Sequence, residues 1–165
     1  MRKQVIFLNG PIGVGKSSFG RALAEALDGR FIDGDDHADL GLPWHRSSLR
    51  TSRAIVRAAL SALASRPIVV IGYPVRRSGW VFFRRKFAEV GVRTVFVGLS
   101  ASYDQIVASG RGRQFDAAER SRIKAMIDEG YGRQDFNDRL IDVGGRPFTA
   151  VLAGLRVEVA RLLAA

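Results

Sequence analysis

Short runs of uninterrupted apolar residues alternate along this chain with longer stretches in which apolar residues recur every three or four positions. Val5-Ile6-Phe7-Leu8, Pro67 to Ile71 and Thr94 to Val97 are runs of the first kind and predict strands buried on both faces. Arg30-Phe31-Ile32 and Leu140 to Val143 predict two shorter strands. In the segment after Lys16, Phe19, Leu23 and Leu27 recur at spacings of four, which predicts an amphipathic helix ending near Asp28-Gly29. Ile55, Ala59 and Leu63 share one face of a helix expected over 48–64, with residues 37–46, which hold Gly41 and Pro43, expected as a loop. Further helices are expected over 80–90, 102–108, 117–130 and from Thr149 to the end. Apolar strands separated by helices predict an α/β fold, a parallel sheet covered on both faces. No internal repeat, low-complexity segment or linker divides residues 1–165, so a single domain is expected.

The segment between the first strand and the first helix reads Gly10-Pro11-Ile12-Gly13-Val14-Gly15-Lys16-Ser17, which meets every fixed position of the phosphate-cradling pattern G-x-x-x-x-G-K-[ST]. Glycines allow successive backbone N–H groups to turn inward around an anion, and the helix adds the positive end of its dipole. Residues 10–17, with Ser18, are therefore expected to hold a nucleoside triphosphate, Lys16 reaching its outer phosphates and the Ser17 hydroxyl ligating magnesium. Ligands of open α/β sheets sit beyond the carboxyl ends of the strands. The other residues expected there are Asp33-Gly34-Asp35-Asp36, the break Gly72-Tyr73-Pro74, and the segment after the fourth strand.

Three carboxylates within four residues repel one another, and a fold that keeps them together usually supplies a cation. Asp33 is expected to hold magnesium and Asp35 to orient, or take a proton from, a substrate hydroxyl, Gly34 allowing close approach of a ligand. If the strand direction persists, alternation turns Asp33 and Asp35 one way and Asp36 the other. The competing reading is a solvated acidic turn. Arg111 and Arg113 flank Gly112 in a glycine–arginine loop suited to closing over a triphosphate. Arg50, Arg53 and Arg57 recur at helical spacing, either facing a substrate or forming a wet face; Arg133 is a further candidate substrate contact.

The formal net charge of +10 admits a nucleic-acid partner, but the basic residues are scattered. The one local cluster, Arg76-Arg77 with Arg84-Arg85-Lys86, lacks the alternating aromatic residues of a stacking platform. There is no cysteine, which removes disulfides and thiolate chemistry. No apolar leader and no run of membrane-spanning length appear, so a cytoplasmic location without membrane attachment is expected; oligomeric state is not legible.

In this order, the loop at 10–17, Phe31-Ile32-Asp33-Gly34-Asp35-Asp36, the turn after the third strand, the arginine-bearing loop and Leu140-Ile141-Asp142-Val143 resemble the small-molecule kinases of the shikimate kinase and gluconate kinase group. The resemblance implies a three-layer P-loop fold with a five-stranded parallel sheet and a mobile lid near residues 109–118. It implies ATP and Mg2+ as cofactors, and transfer of the γ-phosphoryl group to a hydroxyl of a small, anionic, shikimate- or gluconate-like metabolite. Carried over by position, it gives Lys16 and Ser17 to ATP and magnesium, Asp33 and Asp35 to magnesium and the acceptor hydroxyl, an arginine of the 50–53 region (Arg50 or Arg53) to a substrate carboxylate, and Arg113 to catalysis as the lid arginine. Arg111 is further expected at the nucleotide, and Gly72, Tyr73 and Arg133 at the substrate. Where shikimate kinases carry a glycine triplet after the third strand, this chain has the bulkier Gly72-Tyr73-Pro74. Ser109 stands near the base of the lid in place of an adenine-packing arginine. Those departures keep two alternatives in view, a nucleoside or nucleotide kinase and a nucleotide-dependent RNA- or protein-binding module.

Overall fold

The computed structural model describes residues 2–38, 41–108 and 114–165, with only the backbone of Trp44 and His45. Its five strands are β1 (Gln4–Asn9), β2 (Arg30–Asp33), β3 (Ile68–Gly72), β4 (Arg93–Ser100) and β5 (Arg139–Asp142). They form one sheet in the order β2-β3-β1-β4-β5, and every pairing is parallel. The helices are α1 (Lys16–Ala26), α2 (Trp44–Ala62), α3 (Arg77–Ala88), α4 (Tyr103–Ala108), α5 (Ala117–Asp128) and α6 (Phe148–Ala164).

Side chains alternate across the sheet and separate two cores. Ile6 and Leu8 of β1 pack with Phe19 and Leu23 of α1 and with Val151, Leu155 and Val159 of α6. Val5 and Phe7 pack on the opposite face with Ile55 and Ala59 of α2 and with Phe83 and Phe87 of α3. Phe7 is fully buried at the centre of the second core, its ring centroid 4.6 Å from both Phe83 and Phe96. Phe7→Ala would open a cavity no neighbour can fill, and is expected to cost about 3–5 kcal/mol of stability, read as a lower denaturant midpoint at unchanged m.

The apolar runs mark the strands to within a few residues, while two helices start earlier than expected. α2 begins at Trp44, because Pro43 opens the helix rather than breaking it: its carbonyl accepts from the N–H groups of Arg46 (2.9 Å) and Ser47 (3.1 Å). Proline is tolerated at a helix start, where its missing N–H has no partner to lose. α3 begins at Arg77, three residues before Trp80. The acidic segment does not prolong β2. Residues Gly34–His37 form one 3-10 turn, fixed by the Asp33 carboxylate, which accepts from the Asp35 N–H at 3.1 Å.

Candidate active site

The phosphate-cradling loop leaves β1 at Asn9 and enters α1 at Lys16. Gly13 (φ 79°) and Gly15 (φ 109°) hold the left-handed backbone that turns the loop around, a conformation side-chain-bearing residues rarely adopt. The first turn of α1 has no acidic residue and no side-chain cap, so the positive end of the helix faces the loop uncompensated. Lys16 Nζ donates to the carbonyls of Gly10 (2.8 Å) and Pro11 (2.7 Å), which sets the ammonium across the mouth of the loop. The Ser17 hydroxyl donates to Asp33 Oδ2 at 2.8 Å. That bond reaches past β3, which lies between β1 and β2 and ends at Gly72 against the backbone of Lys16. Backbone donors suit a phosphate chain, and the paired hard oxygens of Ser17 and Asp33 suit magnesium, so the residues present fit both groups.

The 3-10 turn overturns the expected alternation of the carboxylates. Asp33 and Asp36 border one groove, beside Arg21, Arg30 and His37 between α1 and α2. Asp35 turns away from both, into a cleft of about 560 Å³ walled by α2, α3 and α5. Among the described residues no three metal-ligating side chains gather into one cluster. Gly34 also has a different partner from the one expected. A Cβ there would stand 2.3 Å from Cδ2 of Tyr73, so glycine makes room for the Tyr73 ring on the floor of the cleft. Gly34→Ala is expected to displace that ring, costing about 1–3 kcal/mol in thermal or chemical unfolding.

Although water reaches Asp35, burial between the cleft walls raises its carboxyl above the ordinary aspartate value. Lys16 acts against that shift, Asp33 adds to it, Arg122 opposes it and Asp36 adds to it. Burial likewise raises the Tyr73 phenol, with Asp35 and Tyr131 adding to the effect, so Tyr73 is a neutral hydroxyl at physiological pH.

The first turns of α2 present Ser47, Ser48, Thr51 and Ser52 to this cleft. Phe82 and Phe83 of α3 and Met126 of α5 form an apolar wall, and Arg122, Glu129, Tyr131 and Arg76 complete the rim. Arg76 donates to the Tyr131 hydroxyl (2.5 Å) and to Glu129 (3.0 Å). On the other side of the phosphate loop a second cavity, about 620 Å³, is bounded by Gly13, Val14, Gln105, Ile106 and the segment Gly144–Phe148. Fully buried Asn9 ties the region together: it donates to Gln134 (2.9 Å) and accepts from the Val75 N–H (2.8 Å). Gln134 in turn donates to the Val75 carbonyl at 3.0 Å, so the ends of β1 and β3 and the 132–137 loop are held as one.

Among the expected site residues, Lys16, Ser17, Asp33, Gly72 and Tyr73 gather at the carboxyl ends of the strands, with Asp35 facing the cleft. Arg50 and Arg53 lie with Arg57 on the exposed face of α2 and do not line the cleft. Arg133 is exposed in the loop after α5 and is likewise absent from its walls. Arg111 and Arg113 lie outside the described residues, as do 109–113 of the expected lid; its far end is anchored by buried Phe115, packed on Gly13. The sequence reading missed Arg122, Arg76, Tyr131 and the α2 hydroxyls. Arg85 and Lys86 pair with Glu89, Arg77 pairs with Asp135, and Arg77 and Arg84 lie over Phe136 and Trp80, aromatic neighbours the linear cluster does not reveal.

No protein-family model matches the chain. The shikimate kinase of Desulforudis audaxviator is 27% identical over 146 residues, covering 84% of this chain and 77% of that protein. A gluconokinase structure from Sinorhizobium meliloti 1021 superposes with a TM-score of 0.70 at 24% identity, covering 98% of this chain and 93% of its own. The Mycobacterium tuberculosis APS kinase CysC, in complex with AMPPNP and APS, superposes with a TM-score of 0.69 at 17% identity, covering 99% of each chain. Kinases of this kind use ATP, and an ATP analogue is bound in the last of these structures. No helix among the described residues is long and apolar enough to cross a membrane. By its sheet order, phosphate loop and flanking carboxylates, the chain has a P-loop α/β fold and resembles the shikimate kinases and gluconokinases.

Proposed function

We propose that the protein transfers the γ-phosphoryl group of ATP to a hydroxyl of a small metabolite held in the cleft beside Asp35. One observation carries this reading: the acidic turn divides its carboxylates, Asp33 bonding to the Ser17 hydroxyl and Asp35 facing the cleft. The backbone N–H groups of residues 10–18 would cradle the phosphates, with Lys16 along the outer pair. Ser17 and Asp33 would hold Mg2+, which when bound neutralises charge on the phosphate oxygens. Asp35 would orient the acceptor hydroxyl and take its proton. Gln105 and Arg146, beside Gly13 and Val14, border the cavity suited to the nucleotide base. Gly72 and Tyr73 shape the floor on the acceptor side, and Arg111 and Arg113 are the cations proposed to cover the transferring group. Arg50, Arg53 and Arg133 take no role here, because none reaches the cleft walls.

Calorimetry with Mg·ATP, followed by a coupled ADP-release screen over hydroxylated metabolites, tests the reading. The expected result is nucleotide binding together with acceptor-dependent ADP release. A folded protein that takes up no Mg·ATP or Mg·GTP would exclude it.

A further inference from the structure

Among the described residues, the acceptor cleft carries no surplus charge. Its ionisable walls hold two acids, Asp35 and Glu129, and two arginines, Arg76 and Arg122. Arg76 is engaged by Glu129 and the Tyr131 hydroxyl, and the field of Arg122 falls on Asp35. A carboxylate entering here would meet the negative charge of Asp35 and Glu129 along with the positive charge of the two arginines, so the cleft offers it no net attraction inside partly desolvated walls. The face of α2 turned to the cleft tells the same story. Thr51 and Ser52 are only 2% and 8% exposed, and among the described residues neither hydroxyl has a hydrogen-bond partner. Neither hydroxyl is sealed from the cleft they line, so each is open to a hydrogen bond from whatever occupies it, water or ligand. Opposite them, Phe82 and Met126 offer an apolar surface suited to the C–H face of a ring.

We infer that the acceptor is an uncharged, polyhydroxylated ring compound, its hydroxyls on Thr51 and Ser52 and its ring on Phe82, rather than a carboxylic acid. This rests on the kinase reading above and narrows it: the α2 hydroxyls select the acceptor, and the exposed arginines of the same helix do not.

The test compares acceptors that differ in charge: shikimate with its methyl ester, glucuronate with methyl glucoside, and myo-inositol with ribonucleosides as further uncharged rings. The readout is kcat/KM for ADP release, with Mg·ATP binding measured separately. Uncharged members are expected to exceed their carboxylate partners by about tenfold or more. Thr51→Val, which keeps the shape and removes the hydroxyl, is expected to lower kcat/KM for the preferred acceptor by roughly tenfold while leaving the ATP dissociation constant unchanged. Two outcomes overturn the inference and leave the kinase reading standing. One is a preference for the carboxylates that Arg122→Gln abolishes; the other is no turnover of any uncharged ring by protein that binds Mg·ATP. Loss of Mg·ATP binding by the unmodified protein would overturn the kinase reading itself.

Discussion

Asp35→Asn is expected to lower turnover by about 10²- to 10⁴-fold, the usual contribution of a positioned general base, while nucleotide affinity stays near that of the parent. The carboxylate faces the cleft while its neighbour Asp33 bonds to Ser17, so the substitution leaves the proposed metal end intact. The same change is expected to raise Tm at neutral pH. Burial raises the Asp35 carboxyl in the folded protein, so the native state holds its proton to higher pH than the unfolded chain does. Stability therefore falls as pH rises from the unfolded value, near 3.8, through the higher folded one, and above both the full penalty is present. Asparagine removes that penalty. Its advantage in Tm should shrink as pH drops through this window and vanish below it, where both versions are neutral. A melting series of both proteins across pH decides the matter; equal Tm values at neutral pH would show that the charged carboxylate costs the fold nothing.

Lys16→Met is the second large effect. Removing one preorganised cation from a site of developing negative charge is expected to cost about 10²- to 10³-fold in kcat. It also removes the ammonium that bridges the carbonyls of Gly10 and Pro11, so weaker nucleotide binding should accompany the loss. A further consequence separates this from general damage. Lys16 is the strongest influence holding the Asp35 carboxyl down, so its removal lets that carboxyl rise further. With Asp35 as the proposed base, the rate is expected to follow its ionised form and to increase with pH through its pKa. The acid limb of residual activity in Lys16→Met should therefore lie at higher pH than in the parent. A pH–rate profile reads this directly, and coincident acid limbs would mean that Asp35 is not the titrating base.

Much of this arrangement is legible in the sequence because it depends on short-range backbone chemistry. The loop at 10–17 is defined by where glycine, lysine and serine must fall, and uninterrupted apolar runs mark a sheet covered on both faces. Asp33 is legible for the same reason, standing at the end of a strand. The directions of Asp35 and Asp36 are not, because a single backbone bond from Asp35 to the Asp33 side chain converts an extended segment into a 3-10 turn. The arginines of α2 illustrate a readable signal given too little weight. Ser47, Thr51 and Ser52 share the helical phase of Ile55 and Ala59, all buried, which puts Arg50, Arg53 and Arg57 on the exposed side. In this helix the hydroxyls at core-phase positions line the cleft and the basic residues at solvent-phase positions do not. Arg122 and Tyr131 join the cleft from far along the chain, and no local pattern announces such a meeting.

The buried seryl and threonyl stripe of α2 also bears on how such a protein changes its diet. On the proposed reading it would meet the incoming molecule on a helix that supplies none of the phosphate-gripping backbone, while the clamp around Asn9 ties the ends of β1 and β3 separately. One-codon exchanges along that stripe can therefore trade one guest for another without loosening the engine, which leaves lineages of this fold free to diverge in what they modify while keeping how they modify it.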